Sequence, residues 1–485
     1  MKYTLILLLL FIVTATQAQT KLNKYYPVED KAVQQKLNDW RTLKFGLFMH
    51  WGTYSQRGIV ESWALCAEDE AWCRRENPNY EEFKRDYVAL KKTFNPTQFN
   101  PEKWAEAANK AGMRYMVFTT KHHDGFNMFD TQLSDYKITS VECPFHINPK
   151  ADVTKEIFEE FRKKNFMIGA YLSKPDWHNE NFWWPNFATP DRNVNYSIEK
   201  YPERWQAFVD FFHGQVDELM TNYGQVDILW MDGGWVRPLT KGQKKLINFI
   251  NGLFLKSGYT QLNIPQDQDL KIAEMSRKAR EKQPGLIVVD RHIEGPDENY
   301  LTPEQFIPDR YFEEPWESCI TLSGSWAYTP NDTYKSSRQV IHMLTDVVSK
   351  NGSLLLNVGP SPDGVWPEEV YQRFNEIGQW MDVNGEAIYN TTGRKKFGQN
   401  NERYTVNRDG TVNAFYLIEE NVKELPKTIE FSDLKVKNGQ TIMLLGYSGS
   451  INWNKKGGAI HIDVPEEVKR KGNLKYALVF KIVQM

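Results

Sequence analysis

An aspartate ends the apolar run in Val226-Asp-Ile-Leu-Trp-Met-Asp-Gly-Gly-Trp235. This residue, Asp232, is followed by two glycines, which let the backbone turn sharply, and is flanked by Trp230 and Trp235. The ordinary use of such an aspartate is to cap a helix, but no helix start follows over Gly233–Pro238. Asp232 therefore reads as a reacting carboxylate at a pocket floor, and Asp227, at the start of the same run, as structural. His122 and His123 end a second run in Thr119-Thr-Lys-His-His-Asp-Gly-Phe126, and His50 ends a third beside Trp51. Neighbouring side chains on an extended chain point to opposite faces. The histidine pair is thus expected to hydrogen-bond a polar ligand instead of sharing a metal ion. A fourth run ends at Asp290-Arg291 and opens into a stretch carrying Glu294, Glu298 and Glu304. Two carboxyl groups flanking a glycosidic bond can hydrolyse it, one attacking and the other moving the proton.

Those residues need a frame that gathers distant run-ends. Apolar runs at Phe45–His50, Tyr115–Thr120, Met167–Ser173, Asp227–Asp232, Leu286–Asp290 and Ser353–Val358 predict parallel strands covered on both faces. Helical patterns alternate with them over Pro101–Ala111, Lys155–Asn165, Glu203–Tyr223, Leu270–Gln283, Ser336–Lys350 and Pro367–Asn384. Run after run finishes on polar or aromatic residues: His50-Trp51, Lys121–Asp124, Lys174–Trp177, Asp232, Arg291, Trp316-Glu317 and Asn357. A doubly wound sheet would use one or two such ends, and no glycine-rich phosphate loop follows any of them. A (β/α)8-like (TIM-type) barrel brings them all to one rim. The expected fold is α/β, with this catalytic barrel over residues 19–390 and an antiparallel β-sandwich over 391–485. The sandwich is predicted from alternating segments at Thr411–Ile418, Thr428–Phe431, Thr441–Tyr447, Ala459–Val464 and Tyr476–Val483, with no helical pattern between them.

Composition narrows the function. The 485 residues carry 60 basic and 62 acidic side chains, which gives no electrostatic reason to expect a nucleic-acid partner. Aromatic residues make up 14%, with 16 Trp, and their flat faces suit the C–H faces of sugars. Residues 1–18 read as a signal peptide: Lys2, the apolar run Leu5–Val13, then small residues up to Ala18. The mature chain is therefore expected to be exported, to the periplasm or beyond. That apolar run is too short to span a bilayer, and no later one is longer, so no membrane span is expected. Cys66, Cys73, Cys143 and Cys319 are too scattered for a disulfide framework, and only Cys66 and Cys73 are near enough in sequence to pair. No CxxC or HExxH pattern supports zinc.

Taken in order, several motifs resemble those of the glycoside hydrolase family 29 α-L-fucosidases. They are Phe45-Gly-Leu-Phe-Met-His-Trp-Gly52, Lys121-His-His-Asp-Gly-Phe126, Trp230-Met-Asp-Gly-Gly-Trp235, Asp290-Arg291, Pro315-Trp-Glu-Ser318 and Val348-Ser-Lys-Asn-Gly-Ser-Leu-Leu-Leu-Asn-Val-Gly-Pro360. The resemblance covers nearly the whole chain after residue 18. It implies retaining, exo-acting hydrolysis of terminal α-L-fucosyl residues on a barrel with a C-terminal sandwich, without cofactor or metal. The substrate partner would be a fucosylated oligosaccharide or glycoconjugate. Asp232 matches the nucleophile, and His50, Glu61, His122, His123, Trp230 and Arg291 match sugar contacts. Trp316 is expected to wall the sugar methyl group. Tyr171 matches a further contact, although Leu172 departs from the aromatic pair expected there.

The resemblance does not fix the acid/base, so the three glutamates are weighed by context. Glu304 in Thr302-Pro303-Glu304 suits the first turn of a helix. Glu294 precedes Gly295-Pro296, a turn that carries it outward. Glu298 lies beside Asn299-Tyr300, where an aromatic ring would desolvate it and keep it protonated. Glu298 is the expected acid/base, with Glu294 and Glu304 as alternatives. Two other readings use the same residues. One is a catalytically silent carbohydrate-binding protein, which loss of Asp232 would have signalled. The other is a metal-dependent sugar hydrolase or deacetylase built on the histidines.

Overall fold

The computed structural model describes residues 23–484, apart from 68–72, 74, 76, 190, 257–265, 423 and 471–475. The signal peptide expected at residues 1–18 lies outside the described residues.

Strands β1 (Phe45–Met49), β2 (Tyr115–Lys121), β3 (Met167–Ser173), β4 (Ile228–Asp232), β5 (Ile287–Asp290), β6 (Glu317–Thr321) and β7 (Ser353–Val358) are almost entirely buried. They pair in parallel in the order β5-β4-β3-β2-β1-β7-β6, a curled sheet of seven strands. The pleat sorts each strand by parity. On β4, Ile228 and Trp230 join the inner cluster with Phe48, Tyr115, Val117 and Tyr171, while Leu229 and Met231 pack into the outer layer. On β3 the same rule turns Tyr171 inward and Leu172 outward, so Leu172 has no part in the interior. The outer helices begin where their sequences place caps. Asn100 caps Pro101–Lys110, Asp152 caps Val153–Lys163, and Ser336 with Gln339 forms a capping box on Ser337–Ser349.

Strand β6 corrects one expectation. The sequence places the Trp316-Glu317 pair at the end of a strand, but Glu317 begins one, because the small and apolar residues follow the pair instead of preceding it. Between β5 and β6 no regular strand intervenes. The chain turns back after Arg291, Glu298 bridges Val289 antiparallel, and then Leu301 bridges Trp316 and Glu304 bridges Cys319 in parallel. Residues 297–305 thus occupy the place of an eighth barrel strand.

The C-terminal part is an antiparallel pair of sheets. One is ordered β12 (Gln440–Leu444), β15 (Ala477–Gln484), β10 (Val412–Leu417), β9 (Glu402–Asn407), β8 (Thr391–Thr392); the other is β11 (Thr428–Phe431), β14 (Ala459–Asp463), β13 (Trp453–Lys456). Alternate residues such as Tyr404, Phe431, Ile442, Ile462, Leu478 and Phe480 form a separate core. The Trp380 indole donates to the Ala477 carbonyl at 3.2 Å and ties this unit to the barrel helices. All four cysteines, Cys66, Cys73, Cys143 and Cys319, are buried, and Cys143 and Cys319 are thiols. Among the described residues no helix is long and apolar enough to cross a membrane.

Candidate active site

Asp232 is the last residue of β4, level with Ser173 of β3. Gly233 follows in the left-handed region at φ 95°, and a Cβ there would lie 2.5 Å from the Pro175 ring, so only glycine can make this turn. The Asp232 carboxylate is held from two sides. Arg291 Nη1 donates to Oδ1 at 2.9 Å and the Tyr171 hydroxyl donates to Oδ2 at 3.1 Å. Burial works to raise its pKa, but Arg291 and then His123 outweigh it and hold the carboxyl well below the usual range. Asp232 is therefore an anion near neutral pH.

The histidines gather on this carboxylate. Strand β2 ends at Lys121 after a register shift, so His122 and His123 do not continue the extended alternation assumed from their sequence. Their rings are 4.2 Å apart, and their ligand atoms lie within 4.8 Å of one another and of the Asp232 carboxylate. The expectation of opposite faces fails for that reason. Nδ1 of His122 pairs with the Ser62 hydroxyl and Nδ1 of His123 with that of Ser173, which leaves Nε2 of each for the site. His123 Nε2 is buried, 3.7 Å from Asp232 Oδ2, with no hydrogen-bond partner among the described residues. His50 Nδ1 pairs with Asn357 Oδ1 at 2.7 Å. Burial lowers His50 to about 4, His123 to about 3 and His122 well below its ordinary value. All three are neutral imidazoles at working pH, suited to hydroxyl groups.

Glu61 stands just before the short turn Ser62–Leu65. Burial, with Glu304 and Asp232 nearby, pushes it up to about 8, so it is a neutral acid and a hydrogen-bond donor near pH 7. The floor is aromatic. Trp230 stacks on Tyr171 at 5.4 Å with the Arg291 guanidinium 5.2 Å above its ring, and half-buried Trp326 lies 5.0 Å from His50 and 5.9 Å from Phe48.

The three glutamates separate clearly. Glu304 pairs with Nη2 of Arg291, whose Nη1 holds Asp232, so one guanidinium carries both carboxylates. Glu298 is buried, its Oε1 accepting the His292 backbone N–H at 2.9 Å and its Oε2 the Asn23 side chain at 3.2 Å. Burial raises it to about 7, as its sequence context implied, but its hydrogen bonds tie it to the turn and the N-terminal segment instead of to Asp232. Glu294 is exposed and accepts the Lys24 N–H at 3.3 Å.

Trp316 is not in the site. It precedes β6, whereas the site lies beyond the C-terminal strand ends, and its indole donates to the Lys350 carbonyl at 3.2 Å against the outer helix layer. Trp326, on the loop after β6, supplies the aromatic wall instead. It lacks any pattern signal, since it follows Leu322-Ser-Gly-Ser325 and belongs to no periodic element. Ser62 and Ser173, which orient the histidines, were equally unmarked, although Ser173 ends its strand as Asp232 does.

Comparison with known proteins bears on this constellation. The profile described as Alpha-L-fucosidase matches residues 12–386. The Alpha-L-fucosidase of Dictyostelium discoideum is 25% identical over 489 residues, covering 97% of this chain and 94% of that protein. The structure of Alpha-L-fucosidase isoenzyme 1 from Paenibacillus thiaminolyticus superposes with TM-score 0.72 at 28% identity, covering 94% of this chain and all of that one (100%). A Bacteroides thetaiotaomicron GH29 alpha-L-fucosidase, trapped as a covalent intermediate with 2-fluoro-fucosyl fluoride, shares the fold with TM-score 0.67 at 20% identity, covering 95% and 98% of the two chains. With that match across the barrel, the chain belongs to the alpha-L-fucosidase family.

Proposed function

We propose that the protein is a retaining, exo-acting α-L-fucosidase that removes terminal α-L-fucosyl residues by double displacement. The observation that carries this reading is the Arg291 fork, which holds Asp232 and Glu304 together. Adjacent nitrogens of one guanidinium favour the short carboxyl separation of a retaining pair, about 5–5.5 Å. The covalent intermediate trapped on the Bacteroides fucosidase supports the same two-step course.

In this reading ionised Asp232 attacks the anomeric carbon and Glu304 protonates the departing oxygen. The C–O bond to the aglycone breaks as the C–O bond to Asp232 forms. Glu304, now an anion, then takes a proton from water, which attacks the fucosyl ester and releases Asp232. We place the acid/base on Glu304, not Glu298, because Glu304 shares Arg291 with the nucleophile. His50, His122, His123 and Glu61 offer neutral donors and acceptors to the sugar hydroxyls, and Phe48 and Trp326 offer an apolar side to its methyl group. The leader expected at residues 1–18 supports an exported enzyme acting on glycans outside the cytoplasm.

NMR during the first minutes of hydrolysis tests the mechanism. The α-anomer of L-fucose should form first; β-L-fucose first would mean inversion. The metal-dependent reading has one observation behind it, the grouping of His122, His123 and Asp232. The Arg291 cation already on Asp232 opposes a second cation there. Loss of activity in chelator, restored by a divalent ion, would favour the metal.

A further inference from the structure

Beneath the site lies a carboxylate that this mechanism does not use. Glu317 opens β6 and is wholly buried. Its Oε2 accepts the Tyr115 hydroxyl at 2.7 Å and its Oε1 accepts the Trp230 indole N–H at 3.2 Å. Tyr300 adjoins the carboxylate, and Trp40 closes the cage, stacked 4.2 Å from Tyr300 and edge-on 5.9 Å from Tyr115. An apolar residue here would leave the buried Tyr115 hydroxyl and Trp230 N–H without an acceptor, so Glu317 serves stability through these donors. What it holds is informative. The Trp230 ring has a single N–H donor, and its faces meet Tyr171 and Arg291, the two groups hydrogen-bonded to Asp232.

We propose that Glu317 is a positioning residue for the hydrolysis: by gripping the indole edge of Trp230, it fixes the ring against which Tyr171 and Arg291 set the Asp232 carboxylate. The proposal rests on the fucosidase reading of the site. Burial pushes Glu317 up to about 7, against the hydrogen bonds from Tyr115 and Trp230 and the charge of Arg291. The groups facing it are Tyr115 from β2, Trp230 from β4, Arg291 after β5, Tyr300, and Cys319 on its own strand. Trp230 can only donate, so it bonds the anion more strongly than the neutral acid. Positioning therefore improves as pH rises through about 7 and weakens as pH falls below it.

The test compares wild type, Glu317→Gln and Glu317→Leu on an aryl α-L-fucoside across pH, with Tm measured alongside. The leucine variant leaves the Tyr115 hydroxyl and the Trp230 N–H without an acceptor, so its Tm should fall; its kcat per folded site should fall as well, by roughly 10- to 100-fold, the worth of a hydrogen bond to a charged group, with KM moving less because the sugar contacts remain. The glutamine variant keeps an acceptor for the indole N–H, so it should recover part of that loss. It should also lack the step near pH 7 in the wild-type kcat/KM profile. Unchanged kcat and pH profile in both variants would overturn the proposal. So would a Tm drop with kcat per folded site unchanged. Should the leucine variant not fold, Trp230→Phe replaces it: Glu317→Gln must then add little to Trp230→Phe, and full additivity overturns the proposal. Absence of fucoside hydrolysis by wild type would strike the fucosidase reading itself, which these comparisons presuppose.

Discussion

Replacing Arg291 with methionine keeps the length of the side chain and removes the charge that two carboxylates share. The Asp232, Glu304 and Arg291 side chains are only 16%, 19% and 7% exposed, so water compensates little. An opposite charge about 5 Å away stabilises the Asp232 anion by roughly 3 kcal/mol at an effective dielectric of ~20, equivalent to about two pK units, and the variant loses that attraction. Breaking a buried pair by removing one partner costs about 3–5 kcal/mol by the same logic. The sign follows from the wild-type shift. Asp232 is depressed, so it contributes stability above its unfolded value of about 4, and this is lost only as pH falls through the lower folded value. In Arg291→Met that contribution disappears: the acid limb of kcat/KM should move up by about two units, and kcat/KM at neutral pH should fall roughly 10²- to 10⁴-fold. The Tm gap between variant and wild type should narrow as pH falls through the carboxylate range. Initial rates on an aryl α-L-fucoside from pH 3 to 9, with calorimetry over the same range, decide it. An acid limb that stays put, with kcat/KM within threefold of wild type, would refute the shared-guanidinium argument.

Asp232→Gly should lose nearly all turnover but retain sugar binding, and added azide should give the β-fucosyl azide from the vacated face; substantial unaided turnover would count against Asp232 as nucleophile. Glu304→Ala should damage natural glycosides far more than aryl fucosides with good leaving groups, and azide should rescue it with retained configuration, because the nucleophile is intact. Glu298→Ala should instead lower both substrate classes alike without an azide response, since that carboxylate bonds His292 and Asn23; the Glu304 pattern in this variant would return the acid/base to Glu298.

The parts of this molecule that obey a period were legible from its residues. Buried parallel strands announce themselves as apolar runs, and the carboxylate ending one of them, Asp232, is where a barrel presents chemistry. Motif matching leaves Tyr171 open because of Leu172 beside it; the pleat turns Tyr171 inward and Leu172 outward. The misjudged positions are those where periodicity stops. His122 and His123 lie just past a register shift, so strand alternation no longer applied to them. Trp316 lies at the start of β6 and not at its end, because a motif shows its neighbours but not the chain direction within the sheet. For Glu298 the sequence context gives the desolvation, which the structure shows, but not the direction of its side chain toward His292 and Asn23.

The irregular eighth position of the barrel has an evolutionary consequence. Asp232 is held in register by ladder bonds on both sides, so a one-residue insertion in β4 would move it off the site. Glu304 stands on a segment with only isolated bridges to its neighbours, reached by a turn of a dozen residues after Arg291. Insertions or deletions there can be absorbed without disturbing a single strand pair, provided a glutamate still reaches the second nitrogen of the guanidinium. The aspartate at the Asp232 position should therefore keep a fixed spacing from its motif among relatives, while the glutamate at the Glu304 position drifts along the chain. The same freedom lets this stretch of the barrel rim be rebuilt in one event together with the carboxyl group it carries.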